Sequence, residues 1–175
     1  MRSSVPPFAE LLRACRHSAV HLEQRDQYAV TDEAADYDRW CATGERDTDP
    51  ASPYWSPWVD LVRDAVARGV VVRRARIVSE PVSEYIRYEH AGTDVNVHAG
   101  EEVRWLPRRR AADLALPGAD YWLLDGRLVR WGFFSGDGHL TGHEVTDDPA
   151  AVELCGRAFE TVWSRAVPHD EYKIN

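Results

Sequence analysis

Residues 56–78, SPWVDLVRDAVARGVVVRRARIV, constrain the fold more than any other stretch of the chain. Ser56 suits a helix N-cap, and Pro57 suits the first helical position, where its missing N–H costs no hydrogen bond. Trp58, Leu61, Val62, Ala65 and Val66 then recur at helical spacing as one apolar stripe. Gly69 supplies a left-handed stop. The β-branched run VVVRRARIV begins at once. A strand-like run lies upstream, so the order strand, helix, glycine turn, strand reads as a βαβ unit with two parallel strands. Parallel strands need cover on their faces, which makes the expected class α/β.

The remaining segments extend that pattern. PPFAELLRACRHS places Phe8, Leu11, Leu12 and Cys15 on a short amphipathic helix. AVHLEQRDQYAV alternates, but both of its faces carry polar groups: His21, Glu23, Arg25 and Gln27 against Leu22, Gln24, Asp26 and Tyr28. Such a strand either lies at an edge or lines a polar cleft. TDEAADYDRWCATG reads as a helix from Thr31 to Gly44. SEPVSEYIRYEHAG reads as another, capped by Ser79 or Ser83 and stopped by Gly92. EEVRWLP, DYWLLDGRLVRWGFF and HLTGHEV read as strands, the latter two joined through Asp-Gly turns. Asp148 and Pro149 open a closing helix with Val152, Cys155, Phe159, Val162 and Ala166 on one stripe. The expectation is a single α/β domain over 1–175: a mixed β-sheet with helices on its faces, an N-terminal helix within 1–18 and a tail at 167–175.

Composition narrows the function classes. A length of 175 residues suits one core rather than two. The net charge of −8 argues against indiscriminate binding to nucleic acid or membrane surfaces. Cys15, Cys41 and Cys155 are too few and too scattered for a disulfide framework or a zinc site, so reduced thiols in a cytoplasmic protein are expected. The first ten residues lack an apolar core of the signal-peptide kind, and no run is long enough to span a bilayer.

LVRDAVARGVVVRRARIV, followed later by LLDGRLVRWG and a closing amphipathic helix, resembles one half of the phospholipase D-like fold. There a strand carries the catalytic pattern His-x-Lys-x4-Asp. Set on this chain, the aspartate falls on Asp125, the histidine position on Gly118 and the lysine position on Asp120. Glycine offers no nucleophile and aspartate repels phosphate, so the resemblance implies the architecture without the phosphodiesterase chemistry. Asp125-Gly126 then reads as a type I′ turn. A further set of phrases spans nearly the whole chain: HLEQRDQY, VRRARIVSEPVSEYIRYEH, AGEEVRWLPR, DYWLLDGRLV, SGDGHLTGHEVTDDP and AFETVWSRAVPHDEY. They are similar to a family of small actinomycete proteins that accompany helix-turn-helix regulators. That resemblance implies a regulatory or partner-binding role and supplies no catalytic residues.

The densest polar region is RRARIVSEPVSEYIRYEH, at the edge of a parallel sheet where ligands of α/β proteins bind. Arg74, Arg76, Glu80, Tyr85, Arg87 and His90, with Glu23, Arg25 and Asp26 from the neighbouring strand, could form a pocket for an anionic or zwitterionic molecule gripped by arginine forks. The competing reading of the same residues is a buried ion-pair network that ties strands to helices. His139 and His143 are only two ligands, too few for a zinc site, so no metal and no cofactor is expected. RWLPRRR reads as a solvated basic loop, which leaves nucleic acid an improbable partner. Tyr54 and Trp55, beside prolines, are candidate anchors for a protein partner. The leading expectation is a non-catalytic regulatory or binding protein, acting through a transcriptional-regulator partner or a small anionic ligand. The alternative is a hydrolase or transferase on phosphorylated or carboxylated molecules, with carboxylate/His acid–base groups and arginine clamps.

Overall fold

The structure, a computed structural model, describes residues 5–174. Helix α1 (Phe8–Ala14) leads into β1 (Ser18–Glu23). A 3-10 turn at Thr31–Glu33 opens α2 (Ala34–Thr43), and α3 (Ser56–Ala67) feeds β2 (Val71–Val78). Helix α4 (Glu84–Ala99) and β3 (Glu102–Pro107) complete a second crossover. Strands β4 (Asp120–Leu124), β5 (Leu128–Phe134) and β6 (Leu140–Thr146) form a meander, followed by α5 (Pro149–Arg165) and β7 (Val167–Pro168). The seven strands make one sheet in the order β6-β5-β4-β1-β2-β3-β7. Strands β1, β2 and β3 are parallel to one another, and the remaining neighbours pair antiparallel. The α/β class with a mixed sheet is therefore as expected from the βαβ pattern.

Alternation along the strands sorts the core into faces. Val20, Leu22, Ala75, Ile77, Tyr121, Leu123 and Val129 pack against Cys155, Phe159 and Val162 of α5. Ala19, Val72, Trp122 and Leu124 turn to the opposite face, under Leu12 of α1, Val59 and Val62 of α3 and Val95 of α4. A third cluster gathers Val78, Tyr85, Tyr88 and Trp105 with Tyr172 from the tail.

Four local expectations are corrected. The first strand ends at Glu23 and is central, so it is neither an edge nor polar on both faces: Ala19, Val20 and Leu22 are buried. It ends because the Gln24 N–H leaves the ladder and donates to the Asp120 carboxylate at 2.9 Å. Helix α4 does not stop at Gly92. It runs on to a left-handed Gly100, with Ser83 as the cap that accepts from the Ile86 N–H. Ser56 does not cap α3, whose N-cap position is held by Trp55 without a side-chain bond. Residues 167–168 of the tail join the sheet as β7, beside Arg104 and Trp105.

Asp125 and Gly126 both have positive φ, 51° and 63°, as a type I′ turn requires. The Asp125 carboxylate accepts from the backbone N–H groups of Arg16, His17 and Ser18 at 2.8–3.1 Å. Burial alone would raise its pKa, but these donors bring it below the usual carboxylate range. Asp125 is a structural residue, at the far end of β4 from Asp120.

Candidate functional site

Two rows of side chains cross the sheet on the α3–α4 face. Strand pairing aligns Arg130 with Trp122, Trp122 with His21, and His21 with Arg74. In the next row His143 pairs with Gly132, Gly132 with Asp120, and Glu23 with Arg76. Charged groups in such positions cost several kcal/mol each unless paired. Much of the sequence nearby serves that pairing.

Glu23 is the hub. Its carboxylate lies 2.6 Å from Arg74 Nη1, 2.7 Å from Arg76 Nε and 3.1 Å from His21 Nε2. Arg74 also meets Glu101 at 2.9 Å, and Arg76 meets Glu89 at 2.7 Å. Arg46 reaches Glu89 at 3.7 Å and rests on the Tyr88 ring. Glu101 accepts further from Trp58 Nε1 at 2.6 Å and Asn96 Nδ2 at 3.0 Å. Burial pushes the Glu23 carboxyl up, but Arg76 and Arg74 outweigh it and hold it well below the ordinary range. Burial likewise disfavours the Arg74 cation, and Glu101 and Glu23 outweigh it in turn. Three acids and three arginines are thus paired with one another, although the buried Nε atoms of Arg46 and Arg76 have no well-aligned hydrogen-bond partner.

Beside this network lies a cavity of about 490 Å3. Its floor is the sheet, with His21, Asp120, Trp122, Arg130 and His143, and Tyr85 and Glu89 of α4 form a wall. Its ceiling is the loop after β1, from Tyr28 to Glu33. The loop is anchored on the β5–β6 hairpin, where the Ala29 N–H donates to the Gly138 carbonyl at 2.9 Å. Gly138 has φ of 86°, and a Cβ there would stand 3.1 Å from the Gln27 carbonyl oxygen. Glycine is what lets the two segments meet.

Three charged groups in the cavity stand outside the network. Glu33 accepts from the hydroxyls of Tyr85 at 2.8 Å and Tyr54 at 3.3 Å; burial, then repulsion from Glu89, raises its pKa to about 7. Asp120 accepts from the Tyr28 hydroxyl and the Gln24 N–H, and burial raises it as well. Arg130 has no carboxylate within 4.0 Å among the described residues, and its buried Nε has no hydrogen-bond partner. Burial works against its charged form. His143 Nδ1 faces the Trp131 carbonyl at 3.1 Å, which fixes the proton there and leaves Nε2 as the acceptor. Burial and then Arg130 lower the His143 pKa and favour the neutral ring.

The expected pocket residues divide. Glu23, Arg74 and Tyr85 reach the cavity, and Arg76 lies behind it within the network. Asp26 instead binds the Ser79 N–H and hydroxyl at 2.7 and 2.6 Å, and Arg108 braces the same loop through the Gln24 carbonyl at 2.6 Å. Arg25 donates to the Ser135 carbonyl at 3.1 Å. Glu80 accepts from the Tyr172 hydroxyl at 2.9 Å, and His90 packs between Trp105 and His169. Arg87, on the same helix as His90, does not line the cavity. Trp55 is only 8% exposed, its indole N–H donating to the Asp47 carbonyl, and Tyr54 is half-buried against Glu33.

Arg130, His143, Asp120 and Glu33 were not among the expected site residues. For two of them, Asp120 and Arg130, a signal exists: Asp120 and Trp122, then Arg130, Gly132 and Phe134, alternate through strands that are otherwise apolar. Polar groups on one face of a central strand mark either a pair or a cavity. Glu33 carries no such mark, because its place depends on how a loop folds back.

The fold matches solved structures. Nuc from Salmonella typhimurium, a phospholipase D family member, superposes with a TM-score of 0.53 at 11% identity, over 91% of this chain and 86% of that one. NucT from Helicobacter pylori gives 0.51 at 11% identity, over 92% and 87%. At this identity the likeness is one of fold. No curated protein matches by sequence. Residues 6–174 match the model of DUF6879, a domain of unknown function, and the chain belongs to that family.

Proposed function

We propose that this protein is a non-catalytic binding module that holds a small molecule with an anionic group in the cavity between the sheet and the loop after β1. The observation that carries this reading is the unpaired Arg130, set on the floor of a cavity of about 490 Å3, large enough for a small metabolite. Arg74 and Arg76 are not the anion clamps, since Glu23, Glu89 and Glu101 already occupy them. We further propose a regulatory setting, after the sequence phrases that resemble companions of helix-turn-helix regulators, with such a regulator as the partner that senses the occupied state.

Gly132 offers a direct test. A Cβ there would sit 3.4 Å from Phe134 and 3.8 Å from His143, in ordinary contact, so Gly132→Leu fills the cavity without backbone strain. Native mass spectrometry of the protein purified from its own host is expected to show a small-molecule adduct that Gly132→Leu lacks. Equal adducts on both proteins, or none on either, would reject the reading.

A second reading rests on His143. A neutral imidazole with Nε2 as its acceptor shares the cavity with two acids of raised pKa and one cation, a set capable of acid–base chemistry on a phosphorylated or carboxylated substrate. Turnover of the recovered molecule by the wild type but not by His143→Gln would favour this hydrolase or transferase.

A further inference from the structure

The charges left over in the cavity differ in sign, and they are separated in space. Asp120 and Arg130 sit on the same face of adjacent antiparallel strands, each one step off direct pairing: Arg130 faces Trp122, and Asp120 faces Gly132. Diagonal neighbours of this kind are roughly 7 Å apart at the backbone, and the two side chains form no ion pair within 4.0 Å. Asp120 is bonded to Tyr28, Glu33 is bonded to Tyr85, and the rings of Tyr28 and Tyr85 lie 5.9 Å apart. Phe134 closes the same corner, 5.1 Å from Tyr28. Two acids backed by three aromatic rings therefore occupy one side of the cavity. Arg130 lies one row along the sheet from Asp120, beside Trp122, with its Cζ 5.7 Å from the centre of the Phe8 ring.

On this basis we infer that the ligand is dipolar, with a cationic amine at the Glu33–Asp120 corner and a carboxylate or phosphate at Arg130. The inference rests on the reading that the cavity is a ligand site. Protein donors already bonded to the two acids are neutral hydroxyls and one amide; among the described residues no cation stands within 4.0 Å of either, and Arg46 and His21 act on Glu33 and Asp120 only from further away. An amine supplies that charge, and the aromatic walls favour it further through their ring faces. An anion alone would satisfy Arg130 but meet two carboxylates. A cation alone would leave Arg130, which has the Phe8 ring beside it, without an anionic partner. A molecule bearing both charges satisfies the three groups together.

The test is calorimetric titration of the whole chain with two matched probe series. One comprises L-phenylalanine, its N-acetyl derivative (anion only) and its amide (cation only). The other comprises phosphoethanolamine, inorganic phosphate and ethanolamine, so that a carboxylate and a phosphate are compared. The zwitterion of at least one series is expected to bind more than about ten-fold tighter than either of its single-charge relatives. Arg130→Gln should erase its advantage over the cation-only probe, Arg130→Lys should restore part of it, and Asp120→Asn should erase its advantage over the anion-only probe. Near-UV circular dichroism confirms that each variant is folded. The dipolar inference is overturned if a single-charge probe matches the zwitterion, if Arg130→Gln leaves zwitterion affinity unchanged, or if no zwitterion binds. Gly132→Leu separates the two levels. Loss of a single-charge probe in that variant keeps the cavity as a site while rejecting the dipolar ligand, and unchanged binding there rejects both.

Discussion

Arg46 lies across Gly92, its guanidinium occupying the space that a Cβ at position 92 would take. The same guanidinium donates to the Tyr88 carbonyl at 3.0 Å, and its Cζ stands 3.4 Å from the centre of the Tyr88 ring. Gly92→Ala gains helix propensity of about 1 kcal/mol, yet it must expel a buried cation paired with Glu89. The expected net result is a loss of about 2 kcal/mol in urea unfolding. Arg46→Ala with Gly92→Ala should recover part of the loss, because the clash is then absent.

Glu23 compensates two buried arginines at once. Glu23→Gln keeps the shape and removes the charge, and should cost about 3 kcal/mol or more at pH 7. Its folded pKa is depressed, so its contribution is fully present above the unfolded value and is lost as pH falls through the folded one. Denaturant midpoints of wild type and variant should therefore converge in strong acid.

Glu33 has the opposite sign. Its folded pKa of about 7 lies above its ordinary 4.5, so the folded state binds the proton more tightly. Its contribution to stability is complete below the ordinary value and falls away as pH rises toward 7. Glu33→Gln retains an acceptor for Tyr85 and Tyr54. It should be more stable than wild type at pH 8, on the order of 1–2 kcal/mol, with no advantage below pH 4.5. Thermal melts across that range would show the crossover.

Asp125 collects three backbone donors at the start of β1. Asp125→Ala should cost about 2–3 kcal/mol, while Asp125→Asn, which tolerates the left-handed turn and keeps an acceptor, should cost less. Because the aspartate pKa is depressed, both deficits should shrink as pH falls.

Gly138→Ala meets an unfavourable φ together with the backbone of residues 27–29. The expected effect is local. The Ala29 amide should exchange with deuterium faster, while amides in β1 and β2 keep their protection.

The framework was legible because its signals are local. Gly69 after an apolar helical stripe, Asp148-Pro149 before another, and Asp-Gly between strands each act within a few residues. The arginine cluster was legible as polar but not as paired. Glu101 and Glu89, which occupy Arg74 and Arg76, lie 27 and 13 positions further along than those arginines, and no spacing rule links them. The end of α4 was misplaced for a related reason. Glycine at position 92 answers to Arg46, a residue distant in sequence, rather than to its own backbone. Glu33 enters the cavity only because a loop docks on a hairpin more than a hundred residues away, a contact made through the Ala29–Gly138 hydrogen bond.

That docking gives the cavity two boundaries of unequal permanence. The floor is made of laddered strands and opens only when the sheet does. The ceiling is held by a short bridge between Ala29 and His139 and the contacts around it. In the binding reading proposed above, the loop rather than the sheet is the boundary that gives way first, so changes at the Ala29–Gly138 contact would alter guest exchange before they alter the fold.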